Sequence, residues 1–264
     1  MKLLSIASGS SGNCIFVGAE QSGILVDTGV SMKRVKEGLE ENDLSLDQIR
    51  GICITHEHSD HIGGLGPILR KYDIPVYGTE ETLRYIMDTG KMKNVDLDLF
   101  EPVQADCPIQ IDGMEVTPFS ISHDARNPVC YTIEKDEKKI SVATDMGTYD
   151  EYIMSHLENS QVLLLEANHD INMLQVGSYP YSLKMRILGD KGHLSNDSSA
   201  RLIKALVHDK LQHIMLGHLS EENNYPKLAF QTVKYELEQM EQWKEIGAEL
   251  SVARRHTPTP AVTI

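Results

Sequence analysis

Residues 54–64 read ITHEHSDHIGG and place His56, His58, Asp60 and His61 within six consecutive positions. His56 and His58 stand two apart on an extended strand end, so both can point to one side, and Asp60 and His61 follow on the turn. Four donors then converge on one small volume. Without a cation they would gather negative charge and unpaired polar atoms for no gain. Imidazole and carboxylate together suit zinc, manganese or iron. An exposed polar turn is the plain alternative, and it leaves the H-x-H-x-D-H spacing unexplained.

The elements around the cluster are readable. GICIT (51–55) is β-branched and apolar, and Leu65, Ile68, Leu69 and Tyr72 follow at helical spacing, which predicts a strand-to-helix turn with a helix over 61–72. Strand patterns at 2–8, 14–19 and 22–27 precede it, with a helix over 31–42 whose Met32, Val35 and Leu39 share a face. Further strands are predicted at 75–77, 114–121, 129–134, 139–144, 162–166, 212–217 and 249–253. Further helices are predicted near 80–89, 149–158, 181–188, 196–207 and 227–245. This alternation, without linker, low-complexity stretch or repeat, predicts one α/β or α+β domain over 1–264 with a large sheet component. A chain of 264 residues, 41% of them hydrophobic, has enough apolar surface for such a core.

The H-x-H-x-D-H pattern, after a strand and before Gly63-Gly64, resembles the signature of the metallo-β-lactamase fold, a four-layer αββα sandwich. That resemblance implies a histidine after a middle strand, a bridging aspartate after a later one and a final histidine near the C-terminal end. FSISHD (119–124), SVATDMG (141–147) and HIMLGHL (213–219) supply His123, Asp145 and His218 in that order. The implied centre carries two divalent metal ions (zinc, manganese or iron), one on His56, His58 and His123, the other on Asp60, His61 and His218, with Asp145 bridging. A hydroxide between the ions, oriented by Asp60, is the implied nucleophile. Asp27 in ILVDTG matches the family's first acidic motif, which supports a ligating histidine rather than binding metal. Read alone, it is a turn-forming aspartate before Thr-Gly.

His193 and His218 compete for the last metal position, since both stand in G-H-L-S. The apolar strand IMLG ahead of His218 favours it as the ligand. His193, in KGHLSND, then resembles the histidine that ribonuclease Z-like phosphodiesterases place at the scissile phosphate, where it would stabilise transition-state charge or protonate the leaving oxygen. The plain reading of that segment is a Gly-His-Leu loop whose Ser195 caps a helix.

SGSSGN (8–13) lies between two strands and as a pattern is a Gly/Ser hairpin, neither a Walker loop nor a Rossmann turn. Together with THEHSDH, EANHD (166–170), KGHLSND and GHLSEENN it resembles the YycJ/WalJ group of small bacterial metallo-β-lactamase-fold proteins over essentially the whole chain. The resemblance implies a 5′-to-3′ exonuclease acting on DNA, with Ser10, Ser11 and Asn13 donating to a terminal phosphate and Ser195 as a further substrate contact. Glu166 and His169 end a buried strand, where they either orient ligands and substrate or only finish the edge of the core.

Lys+Arg 25 against Asp+Glu 39 gives a net charge of −14, which disfavours loose, charge-driven binding to nucleic acid or anionic lipid but not a locally positive site built on metal ions. The same acidity keeps in view a hydrolase of a small thioester or cyclic phosphodiester. A non-enzymatic metal module fits less well, because a structural site closes its coordination sphere and His193 is a spare donor. Cys14, Cys53, Cys107 and Cys130 form no CxxC pair and read as reduced core thiols of a cytoplasmic protein. MKLLSIASGSSGNC is too broken for a signal peptide, and no run of about 18 apolar residues spans a membrane. With no room for an inserted clamping domain after the metal motifs, nucleic acid would be held by the domain's own face or by the second copy of a homodimer. EEND (40–43) and YELEQMEQWKE (235–245) read as solvated helix faces and Trp243 as packing. The tail from Arg254, with Arg255 and His256, reads as a loosely held terminus.

Overall fold

The computed structural model describes residues 1–19 and 22–264. Alternating apolar residues decide how its strands stack. In β1 (Lys2–Ala7) Leu3 points one way and Leu4 and Ile6 the other; in β2 (Cys14–Ala19) Ile15 and Val17 oppose Phe16; in β3 (Ser22–Val26) Ile24 and Val26 oppose Leu25. Successive side chains leave a strand on opposite faces, so strands apolar at every position must be covered on both. With β4 (Ile49–Cys53), β5 (Val76–Thr79) and β6 (Phe100–Val103), these strands form one sheet in chain order. The second sheet holds β7 (Ile109–Ile111), β8 (Met114–Ser120), β9 (Val129–Lys135), β10 (Lys138–Ala143), β11 (Val162–Glu166), β12 (His213–Gly217) and β13 (Glu249–Val252), neighbour to neighbour. The short β14 (Val262–Thr263) returns to pair antiparallel with β1, so among the described residues each sheet has seven strands.

Between the sheets, Leu3, Ile24 and Val26 pack with Val116, Tyr131, Leu164 and Met215. On the outer face of the first sheet lie α1 (Met32–Glu40), α2 (Ser59–Ile62), α3 (Leu65–Leu69) and α4 (Glu80–Asp88), through Val35, Leu39, Ile62, Leu65, Leu83 and Ile86. After β10 the chain forms α5 (Glu151–Leu157), and after β11 it runs through α6 (Ile171–Val176) and α7 (Tyr181–Leu188) into α8 (Asn196–Leu206). Following β12 come α9 (Pro226–Leu237) and α10 (Glu241–Ile246). Leu157, Leu202, Ile203, Val233 and Leu237 cover the outer face of the second sheet, with Trp243 packed partly against them. The result is a four-layer αββα sandwich. Each fully buried leucine in these layers contributes about 1.5–3 kcal/mol, which is why both sheets keep their outer helices.

Several elements depart from the sequence reading. The helix expected over 61–72 is two short ones, because the Gly63-Gly64 backbone crosses another segment: a Cβ on Gly64 would lie 2.0 Å from the Val30 carbonyl oxygen. The helix expected over 227–245 breaks between Leu237 and Glu241. β6, β7 and α6 were not predicted. The tail is tied down rather than loose, with β14 paired to Lys2 and Leu3 and the Met1 ammonium donating to the Ile264 carbonyl. Cys14, Cys53 and Cys130 are buried, but Cys107 is exposed in a loop. Among the described residues, no helix is long and apolar enough to cross a membrane.

Direction is what matters for function. β3 and β4 run parallel, as do β10, β11 and β12, while β8 is antiparallel to β9 and β9 to β10. The C-terminal ends of β8, β10, β11 and β12 therefore share one edge of their sheet, where ligand-bearing loops of parallel sheets collect.

Candidate metal centre

Every histidine and aspartate expected at or beside a metal follows a strand end in one of the two sheets. Asp27 directly follows β3, His56 to His61 follow β4, His123 follows β8, Asp145 follows β10 and His218 directly follows β12. Asp27 (φ 61°), Asp145 (φ 61°) and His218 (φ 52°) all adopt left-handed backbone. That conformation costs a non-glycine residue about 1–3 kcal/mol and persists where the surroundings dictate it. Here it turns each side chain sharply off its strand and back over the sheet edge.

The ring nitrogens converge in two groups. His56 Nε2 lies 3.0 Å from His58 Nδ1, which lies 3.3 Å from His123 Nε2. Three nitrogens bound tetrahedrally to one zinc at about 2.0–2.1 Å sit roughly 3.3 Å apart, so the spacing fits one cation. In the second group His61 Nε2 is 3.4 Å from Asp60 Oδ2, and these two residues cluster with His218. Asp145 stands between the groups: its Oδ1 is 3.7 Å from His123 Nε2, and its Oδ2 is 3.4 Å from His61 Nε2 and 3.3 Å from His218 Nδ1. Asp145 Oδ2 and His218 Nδ1 are buried without any hydrogen-bond partner. Orphaned polar atoms of this kind, in a pocket of nitrogen and carboxylate donors, fit a metal ion.

Surrounding contacts hold the rings. Asp27 accepts from Thr55 through both its backbone N–H (2.9 Å) and its hydroxyl (2.8 Å), and its Oδ2 takes His61 Nδ1–H at 2.7 Å, so Asp27 fixes the orientation of the His61 ring. His56 Nδ1 faces the Thr55 hydroxyl at 3.0 Å, and His123 Nδ1 faces the Gly192 carbonyl at 3.2 Å. In each case Nε2 is left for the cluster. The His218 backbone is gripped from both sides: its N–H donates to Ser8 Oγ, and its carbonyl accepts from Asn168 Nδ2. Thr55, Ser8 and Asn168 were missed by sequence reasoning, although Asn168 lies inside the EANHD motif.

The electrostatics follow from crowding charge in a buried place. Burial alone would push the Asp145 carboxyl up, but His218, His61, His56 and His123 hold it well below the usual carboxylate range. Burial likewise opposes a charged His61, yet Asp145, Asp27 and Asp60 hold it well above an ordinary histidine. His56 is driven well below by burial and by the neighbouring His61 charge.

His193 sits at the rim, with its ring stacked on His218 at 5.3 Å between centroids and tilted toward His123 at 5.2 Å. Its Nδ1 is 2.7 Å from Glu166 Oε1. Glu166 is fully buried, and its other oxygen accepts the Met146 and Leu194 N–H groups. Burial disfavours the charged ring, but Glu166 outweighs it and holds His193 up at about 9. His193 also clusters with Asp145, Glu166 and His218, but not with Asp60 and His61. Of the two G-H-L-S histidines, then, His218 faces Asp60 and His61.

The remaining expectations divide. Ser10 and Ser11 are exposed beside the site. Asn13 is buried, with its oxygen accepting from Gly9 N–H and its amide 3.2 Å from His61 Nε2 and 3.4 Å from the Asp60 carbonyl, so it braces His61 and Asp60. Ser195 is buried and caps α8 by accepting from Ser198 N–H. His169 orients no ligand: it is buried, neither ring nitrogen has a hydrogen-bond partner, and burial lowers its pKa to about 4. Sequence reasoning also missed Arg186, whose Nη2 donates to Asp124 Oδ1 at 2.9 Å beside His123.

Gly29 shows how closely the loops approach. A Cβ there would lie 1.6 Å from the Asp60 carbonyl oxygen and 2.8 Å from Asn13 N. Gly29→Ala is therefore expected to destabilise the fold by about 1–3 kcal/mol, the usual range for overpacking, and to lower metal content. Thermal unfolding and metal analysis check both; wild-type values would show that the Asp60 backbone yields freely.

Comparison with known proteins agrees with this fold. The family model described as Beta-lactamase superfamily domain matches residues 23–219. Exodeoxyribonuclease YycJ of Bacillus anthracis is 36% identical over 234 residues, covering 89% of this chain and 88% of its own. Exodeoxyribonuclease WalJ of Streptococcus pneumoniae serotype 2 (strain D39 / NCTC 7466) is 36% identical over 259 residues, covering 98% of this chain and 96% of its own. Zinc-bound PqqB from Methylobacterium extorquens superposes with a TM-score of 0.71 at 16% identity over the full length of both chains, a likeness of fold.

Proposed function

The chain belongs to the metallo-β-lactamase superfamily, in the group of the exodeoxyribonucleases YycJ and WalJ, and from that premise we propose that it is a phosphodiesterase of DNA that removes nucleotides from a strand end with two divalent metal ions. The observation that carries this reading is Asp145, whose two carboxylate oxygens face separate donor groups. Asp27, Asp60, Asp145 and Glu166 bring four carboxyl groups to one edge of the two sheets, a setting that suits divalent cations. Free thiols, three of them buried, support a reducing, cytoplasmic compartment.

His56, His58 and His123 would hold one ion and Asp60, His61 and His218 the other, with Asp145 shared. Zinc, manganese and iron all suit these donors. When bound, such a pair activates water for attack and neutralises charge on the phosphoryl oxygens. The chain's own groups supply the rest. Asp60, half-buried beside the fully buried His61, orients the attacking water through its outer face. His193, with Nδ1 fixed by Glu166, presents Nε2 to the phosphate or to the departing oxygen, where a donor in a water-poor site acts on charge that develops only during reaction.

Incubating the protein with manganese or zinc and end-labelled DNA and RNA oligonucleotides tests the proposal, with Asp60→Ala as control. Mononucleotide release that requires Asp60 is the expected result, with DNA the better substrate. Intact oligonucleotides beside steady hydrolysis of a small thioester or cyclic phosphodiester would move the assignment to a small-molecule hydrolase of the same fold.

A further inference from the structure

The C-terminal segment brings one arginine to the edge of this centre. Arg255 donates through Nη2 to the carbonyl of Leu219, the residue after His218, and points Nη1 at Ser10 Oγ (3.4 Å) and Ser11 Oγ (3.3 Å). Its side chain is only 15% exposed, and the carboxylate facing it, on the exposed Glu221, stands 3.9 Å away. An ion pair that long and that solvated is weak. The guanidinium is therefore largely buried with its charge poorly balanced.

The two serines make the place selective for an anion. Each hydroxyl has one O–H and two acceptor lone pairs. Accepting from Arg255 uses a lone pair and leaves the O–H free to donate outward, and both serines are exposed. Arginine flanked by outward-pointing donors matches a phosphate monoester. The loop is shaped to this contact: Gly9 has φ 146°, and a Cβ there would lie 2.8 Å from Arg255 Nη1 and 3.2 Å from the Leu219 oxygen. The same loop touches the metal ligands, through Ser8 on the His218 N–H and Asn13 on His61. A cavity of about 200 Å³ opens alongside, lined by Ser8, Leu219, Tyr225 and Arg255, with Tyr225 half exposed. An exposed tyrosine ring offers a sequence-tolerant stacking face for a base.

Resting on the phosphodiesterase reading above, we propose that Arg255, with Ser10 and Ser11, binds the terminal phosphate of the strand and thereby places the neighbouring phosphodiester at the metal centre. The chain end is measured off by the 8–13 loop, which makes the enzyme act from an end rather than within a strand. A hydroxyl end leaves the guanidinium without its partner.

The test compares kcat/KM of metal-loaded wild type, Arg255→Gln, Arg255→Lys and the double variant Ser10→Ala/Ser11→Ala on DNA oligonucleotides with a 5′-phosphate, a 3′-phosphate or neither. Wild type is expected to prefer one phosphorylated end by on the order of ten- to a hundredfold, the range of charge-assisted hydrogen bonds. In Arg255→Gln that ratio collapses towards one, mainly through KM, while Arg255→Lys keeps the charge and part of the ratio. The serine pair loses part of it without disturbing the Leu219 contact. Wild-type hydrolysis with no end preference, or an unchanged ratio in Arg255→Gln, overturns the subsite and leaves the nuclease standing. Should wild type cleave no oligonucleotide, the nuclease reading falls separately. Equilibrium binding of the same oligonucleotides then decides the subsite, and equal affinity for phosphorylated and unphosphorylated ends overturns it.

Discussion

Asp145→Asn is expected to lose two to four orders of magnitude in turnover and to hold less metal, while keeping its fold. A loss of that size corresponds to about 3–5 kcal/mol of transition-state stabilisation, since each 1.4 kcal/mol is a factor of about ten in rate. Asp145 is fully surrounded by His56, His61, His123 and His218, and its Oδ2 has no hydrogen-bond partner. The substitution isolates charge from backbone strain, because asparagine, like aspartate, tolerates the left-handed conformation that residue 145 adopts. Alanine would confound the two. Metal analysis, thermal unfolding and steady-state rates on the same preparation check the outcome. A folded variant with full metal content and wild-type turnover would remove Asp145 from the centre.

The parts of this centre written locally were legible, and the parts written across the chain were not. His56 to His61 need only one strand end and one turn, so residue types and spacing exposed them directly. His123, Asp145 and His218 each look ordinary alone; only their order after successive strands marks them. The bracing network lies beyond both signals: Thr55 and Asp27 are 28 residues apart, and Asn168 and His218 are 50 apart. Periodicity also ran the helix of residues 61–72 through Gly63-Gly64, since hydrophobic spacing carries no information about a backbone crossing at Val30. The tail misled for the same reason. β14 and Arg255 are ordered by partners at the opposite end of the sequence, Lys2 and Ser10 among them, and the short segment RRHTPTPAVTI has no periodicity of its own to reveal it.

His193→Ala separates the two histidines that share G-H-L-S. Loss of a positioned proton donor lowers rate by about 10²–10⁴-fold, and the expected fall lies in kcat, with metal content unchanged. The geometry behind this is the division of partners: His218 lies with Asp60 and His61, whereas the Nδ1 of His193 is engaged by Glu166 at 2.7 Å. A histidine anchored to a buried carboxylate on one side has one nitrogen left for a reacting group. Glu166→Gln should act in the same direction but more weakly, because an amide still accepts a hydrogen bond at Nδ1 while losing the charge that favours imidazolium. If His193→Ala instead releases one equivalent of metal, His193 is a ligand and His218 the donor. The roles of the two loops would then exchange, since β12 would supply the proton and the turn before α8 the metal.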